Sequence, residues 1–259
     1  MGRFDSIKPD GVEEDIQASE DLKDPYDADH FLKLANDAMA RGNFEGALKL
    51  YGRALQRDPN RLEGWMGQVR ALIDMGQPQE AMTWLEQAAG VLGEVPPLLG
   101  MRAIAAARCG NREDALAWSD RAMREGQDHM EVWLSRAEVL YLNQQPKIAI
   151  KALEKAVERA PGPTSERQVG EIALEYGDTG QAAIWLERAW RHAPEDPMVA
   201  LRLGVLRDRQ GDPERARSEF QRAISLAPDL QAARLALDEI DGRDWWTQTR
   251  AKLKKWMKS

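Results

Sequence analysis

Glycine returns along this chain with the regularity of a clock: Gly42, Gly76 and Gly110, then Gln144 in the same place, then Gly177 and Gly211, at spacings of 34, 34, 34, 33 and 34 residues. A period of that length means stacked copies of one supersecondary unit, none of which can bury its apolar face alone. Five residues after each of these positions stands alanine (Ala47, Ala81, Ala115, Ala149, Ala182, Ala216), and seven further on alanine again (Ala54, Ala88, Ala122, Ala156, Ala189, Ala223). A third slot, holding Pro59, Gly93, Gln127, Pro161, Pro194 and Pro228, closes each unit.

Glycine belongs just past a helix end and proline outside a helix interior, so each unit reads as two helices with a turn between them. The alanines mark where the two antiparallel helices cross, because only a methyl group fits between backbones that approach closely. Pro78, Pro146 and Pro213 fall early in second helices, where a missing amide costs little. The chain is therefore expected to be all-α, an α-solenoid of helix-turn-helix units.

These slots resemble the tetratricopeptide repeat family. Repeat one (28–61) carries the resemblance best, with Phe31, Leu34, Ala35, Ala38, Ala47, Tyr51, Ala54 and Pro59. Repeat two (62–95) offers Trp65, Leu72, Gly76, Ala81, Leu85 and Ala88, while repeat three (96–129) is degenerate in its first helix. Repeat four (130–162) has Trp133, Ala137, Leu140, Leu153 and Pro161. Repeat five (163–196) has Gly170, Gly177, Leu186 and Pro194, and repeat six (197–230) has Leu203, Gly204, Gly211, Phe220 and Pro228. The resemblance implies a right-handed superhelix and a non-catalytic scaffold or adaptor that holds a peptide or helix of a partner protein in a concave groove.

A terminal repeat needs a cap. Residues 231–242 are expected to supply it, with Leu235 and Leu237 covering repeat six and Gly242 ending the helix.

No phosphate loop, dinucleotide fingerprint, nucleophile elbow or zinc-protease motif occurs, so no catalytic residue is nominated and no enzyme is expected. His30, His129 and His192 lie in different slots more than a repeat apart, and Cys109 is the only cysteine, so neither a metal nor another cofactor is expected. A net charge of -7 and a pI near 5.2 set the chain as a whole against phosphate polyanions. Neither nucleic acid nor a small-molecule substrate is an expected ligand.

In the resembling family, the second, fifth, ninth, twelfth and thirteenth positions of first helices face the groove. Carried over slot by slot, the resemblance nominates Leu32, Asn36 and Met39, then Met66, Arg70, Ile73 and Asp74, then Ile104 and Arg108. The later repeats add Leu134, Glu138, Tyr141 and Leu142, then Arg167, Glu171, Leu174 and Glu175, and finally Leu201, Val205 and Arg209. So apolar a lining, if exposed, marks an interaction surface. Arg70 and Arg108 would then meet acidic groups of the partner, and Glu138, Glu171 and Glu175 basic ones. The alternative is that several of these residues pack between repeats. The family's carboxylate clamp for chaperone C-termini is not expected, since the matching positions hold Leu32, Asn36, Gly67, Pro97 and Met101 and only Asn36 fits. Trp84, Trp118 and Trp185 share one second-helix slot and are expected to cover a packing seam.

Both ends differ from the array. Residues 1–27 hold nine acids against three bases and read as a mobile acidic arm. Residues 243–259 carry a net +5 with interleaved tryptophans. On a helix Trp246, Leu253 and Trp256 share one side, with Trp245 nearby and Lys252 and Lys255 flanking or opposing it, the pattern of an interfacial amphipathic helix. Three readings stand for this tail: docking back on the array, contact with an anionic membrane surface, and contact with a protein partner. With no membrane-length apolar run and no secretory signal, the expected compartment is the cytoplasm, peripheral to the inner face of the membrane if the tail meets lipid.

Overall fold

The computed structural model describes residues 26–256, and the side chains of 26–243. It contains thirteen helices and no strand among the described residues. The first and second helices of the six repeats are α1 (Ala28–Ala40) with α2 (Phe44–Arg57), α3 (Leu62–Asp74) with α4 (Pro78–Leu92), and α5 (Pro96–Arg108) with α6 (Arg112–Gly126). They continue as α7 (Met130–Leu142) with α8 (Pro146–Arg159), α9 (Pro163–Glu175) with α10 (Thr179–His192), and α11 (Pro197–Arg209) with α12 (Pro213–Leu226). A last helix, α13 (Gln231–Trp256), follows.

The turn between paired helices is the same in every repeat. The residue in the glycine slot adopts positive φ, and the next amide reaches back to the carbonyl five residues earlier, as in Asn43 to Ala38 (2.9 Å) and Gln77 to Leu72 (2.8 Å). This satisfies a carbonyl that the helix end would otherwise orphan. Repeat four makes the same turn with Gln144 at φ 61°, the one non-glycine residue with positive φ among the described residues. The alanines of both crossing slots are all buried. Proline opens α4, α8 and α12 as expected, and also α5, α9 and α11.

The degenerate first helix of repeat three has a packing reason. From Pro97 to Ala106 nearly every residue of α5 is buried. At Gly100 a Cβ would lie 2.7 Å from Ser135 Oγ of α7, so α5 and α7 approach too closely for the larger residues found elsewhere in that slot.

Two expectations for the cap are corrected. Leu235 is 67% exposed; the surface that covers repeat six comes from Leu230, Ala233, Leu237 and Ile240, which recur at helical spacing on the opposite side. Gly242 does not end the helix, which runs on to Trp256. A glycine inside a helix costs only about 1 kcal/mol, and the neighbouring residues are held to the array by Asp241 with Arg217 (3.0 Å) and Arg243 with Asp208 (2.8 Å). No helix among the described residues is long and apolar enough to cross a membrane.

Candidate functional site: the concave face

The nominated groove residues fall into three groups. Leu32 is buried in the core of repeat one, and Ile73, Ile104 and Leu174 in core clusters that span repeats, Ile104 to 1% exposure. They do not form an exposed apolar lining. The reason is the close approach of successive first helices, which turns the fifth-, ninth- and twelfth-slot side chains into inter-repeat packing.

Asn36, Met39, Met66 and Leu134 keep accessible surface. Asn36 is not free, because its Oδ1 accepts from the Tyr51 hydroxyl at 2.7 Å, whose phenol burial pushes up to about 12. Met66 lines a shallow pocket with Arg61, Leu62, Glu63, Pro97, His129 and Glu131.

The charged residues are engaged with one another. Arg70 donates to Asp74 of its own helix, to Glu138 of α7 at 2.6 Å and to Glu175 of α9 at 3.1 Å. Arg108 of α5 pairs with the same Glu175 and donates to the Tyr176 hydroxyl at 3.1 Å. Tyr176 in turn donates to Glu138 at 3.3 Å and stacks on Tyr141, the rings 5.1 Å apart and within 2° of parallel. Tyr141, buried rather than facing an open groove, donates to Asp178 at 3.4 Å. Further along, Glu171 sits between Arg167 (2.6 Å) and Arg202 (2.9 Å), and Arg209 donates to the Leu174 carbonyl.

Three carboxylates thus share two guanidiniums among the first helices of repeats two to five. Glu138 holds the Arg70 cation firmly, raising it well above its ordinary value. Burial pushes the Glu138 carboxyl up, as does the nearby Glu175, against the pull of Arg70. Burial likewise raises Asp74. The Glu171 carboxyl is pushed up by burial, yet Arg167 and Arg202 more than offset this and leave it below the usual range. Burial and Glu138 raise the Tyr176 phenol, which stays a proton donor.

Sequence reasoning missed Tyr176, Asp178 and Arg202 in this network. Tyr176 is the C-cap of α9, in a turn slot with no recurring residue type, so no periodic signal marks it. Arg202 occupies a slot outside those carried over for the groove.

Elsewhere the aromatic and histidine residues have structural partners. Trp84 and Trp118 pack on the core, the guanidiniums of Arg102 and Arg121 lie over the Trp118 ring, and Trp185 is buried. Buried Glu166 is held by Arg188 at 2.6 Å and by His192 at 2.8 Å. No group of three metal-ligating side chains occurs among the described residues. The tail residues Trp245, Trp246, Lys252, Leu253, Lys255 and Trp256 lie outside the described side chains, as does residues 1–25 of the acidic arm outside the described residues.

One tetratricopeptide repeat model matches residues 38–103, and a second matches 101–166 and 170–231. The chain belongs to the tetratricopeptide repeat family. Repeats of this family are generally protein–protein interaction modules. No curated relative matches the sequence. Among solved structures, a tetratricopeptide repeat protein from Parabacteroides merdae aligns at 15% identity and a TM-score of 0.53, covering 88% of this chain and 90% of that one. A thermophilic one from Thermus thermophilus aligns at 22% identity and a TM-score of 0.51, covering 69% and 98%. The APC/C hetero-tetramer Cut9–Hcn1 aligns at 15% identity and a TM-score of 0.47, covering 86% of this chain. The chain spans 45% of that relative's length. At these identities the likeness to the Parabacteroides merdae and Thermus thermophilus proteins is one of fold.

Proposed function

We propose that this tetratricopeptide repeat array is a non-catalytic scaffold that holds a segment of a partner protein on its concave face. The observation that carries the reading is a row of charged groups, Arg70, Arg108, Glu138 and Glu175, set across four successive repeats where stacking of the repeats does not require charge. Met39, Met66 and Leu134 beside this row supply accessible apolar surface for anchors on the partner. Basic and acidic groups on the partner would exchange with the row's own ion pairs, which favours a segment carrying both signs.

Site-specific photo-crosslinking tests this. A crosslinker at Met66 or Leu134 should capture a protein that the same crosslinker at Lys151, exposed on the second helix α8, does not. Equal capture from both faces would move the binding surface off the groove.

The second reading is a peripheral membrane adaptor. It is supported by the unbroken course of α13 through Gly242, which joins the basic, tryptophan-rich segment to the array as one helix. Co-sedimentation with anionic vesicles that falls with added salt and disappears on deletion of residues 243–259 would support it. Absence of sedimentation in the intact protein would overturn it.

A further inference from the structure

We infer that Arg70, Arg108, Glu138 and Glu175 form an ionic latch that holds the superhelix closed on its concave side, so that access to the groove requires opening it. The inference rests on the groove reading only for the use made of the opening; the latch itself concerns the shape of the free protein.

A solenoid of repeats needs contacts only between neighbours. Four ion pairs here reach further, the first being Arg70 in repeat two with Glu138 in repeat four at 2.6 Å. Arg70 in repeat two meets Glu175 in repeat five across 105 residues, at 3.1 Å. Arg108 in repeat three meets the same carboxylate. At the two ends of the array, Arg41 in the turn of repeat one meets Asp229, at the close of repeat six, at 3.0 Å across 188 residues. The array is therefore curled far enough for distant repeats to touch. The centre of the curl is occupied by the side chains that a groove ligand would otherwise meet.

The Arg41–Asp229 pair is solvated on both partners, so it reports closure rather than causing it. The central cluster differs. Glu138 is 3% exposed, and two guanidiniums stand between Asp74 on α3, Glu138 on α7 and Glu175 on α9. Without those cations the three carboxylates would face one another across the curl. An uncompensated charge in such a place is strongly unfavourable. Moving the repeats apart relieves this repulsion, and solenoid curvature, being the sum of small inter-repeat rotations, allows it. Tyr176, bonded to both Arg108 and Glu138, ties the two halves of the latch together.

The test is the shape of the full chain without any partner. Donor and acceptor dyes are placed by Lys49→Cys and Ser218→Cys, exposed positions on α2 and α12, in a Cys109→Ser background. Arg70→Gln/Arg108→Gln should lower the transfer efficiency and raise the radius of gyration measured by X-ray scattering, while far-ultraviolet circular dichroism stays constant. Arg70→Lys/Arg108→Lys, which keeps both cations, should stay nearer the parent. Arg136→Gln, which breaks an ion pair with Asp120 outside the latch, should leave both readings in place.

Parent-like efficiency and radius in Arg70→Gln/Arg108→Gln at intact helicity would overturn the latch. Should that variant lose helicity, Glu175→Gln decides. It removes both links to repeat five, those of Arg70 and Arg108, without exposing like charges, and an unchanged shape there would equally overturn the inference. Because no partner is present, this failure leaves the groove reading untouched, and failed crosslinking leaves the latch untouched.

Discussion

Arg70 of α3 and Glu138 of α7 lie 68 residues and two repeats apart, yet their guanidinium and carboxylate are 2.6 Å from one another. The pair joins non-adjacent units, and its two members are not equivalent. Removing Arg70 leaves Glu138 buried beside Asp74 and Glu175, whereas removing the Glu138 charge relieves a cluster that has one carboxylate too many. Arg70→Gln is therefore expected to cost about 2–3 kcal/mol, near the lower end for breaking a buried pair because Arg70 keeps some solvent contact. Glu138→Gln should cost less. In the double variant the loss should fall short of the sum, which urea unfolding of the three variants would read directly. Additive losses would mean that the two side chains do not act as a pair.

Glu171 predicts the opposite pH behaviour from its neighbours in the latch. Held between Arg167 and Arg202, its carboxyl has a folded value below the unfolded one of about 4.3. The unfolded chain then binds the proton more readily, so stability rises with pH through that window. The contribution of Glu171 is fully present above about pH 5 and is lost as pH falls through its depressed folded value. Wild type should be more stable than Glu171→Gln at pH 7, and the gap should shrink below about pH 4. A gap that stays constant from pH 7 to acid would show that the carboxylate charge is not what matters.

The parts of this fold that were legible in the sequence are those where a single residue type satisfies a local constraint. Ala47, Ala81 and their repeats sit where helices cross, and only a methyl group fits there. The Gly42 series sits where the backbone turns left-handed. Both constraints act within about 30 residues and recur in each unit. The latch depends instead on the curl of the whole array. That curl is set by contacts such as Gly100 against Ser135, so no local pattern tells Arg70 that it will meet Glu175 three repeats later. The same reasoning explains the apolar groove residues. Ile73 and Ile104 occupy groove-facing slots, but whether such a slot opens to solvent or closes on the next helix depends on how closely first helices stack. Leu235 failed as a cap residue for a related reason, since the seat of α13 on repeat six decides which side of that helix is covered.

Gln144 is the position where the repeat pattern and the turn geometry disagree. Its φ of 61° is one that a side chain resists by about 1–2 kcal/mol, while the equivalent Gly76 at 75° adopts it freely. Nothing surrounds the glycines of this series closely, so conformation alone sets the difference. Gln144→Gly should stabilise the protein by about 0.5–1 kcal/mol, the local relief being partly offset by a more flexible unfolded chain. Gly76→Ala should destabilise by a similar amount. Thermal unfolding of the two variants measures both, and a Gln144→Gly variant less stable than the parent would mean that the side chain has a partner worth more than the strain.

Gly204 and Phe220 test the crossing of α11 and α12 in repeat six. A Cβ on residue 204 would lie 2.4 Å from the phenyl ring, closer than atoms can approach, and Phe220 is itself almost fully buried. The ring cannot retreat without opening the packing with Ala200, Ala216 and Ala223 around it. Gly204→Ala should therefore destabilise by about 1–3 kcal/mol, as overpacking does, despite the better helix propensity of alanine. Phe220→Leu should also destabilise, through lost volume. Combined, the smaller side chain makes room for the added methyl, so the double variant should be more stable than the sum of the single losses implies. Strict additivity in urea unfolding would mean that the methyl and the ring never compete for the same space.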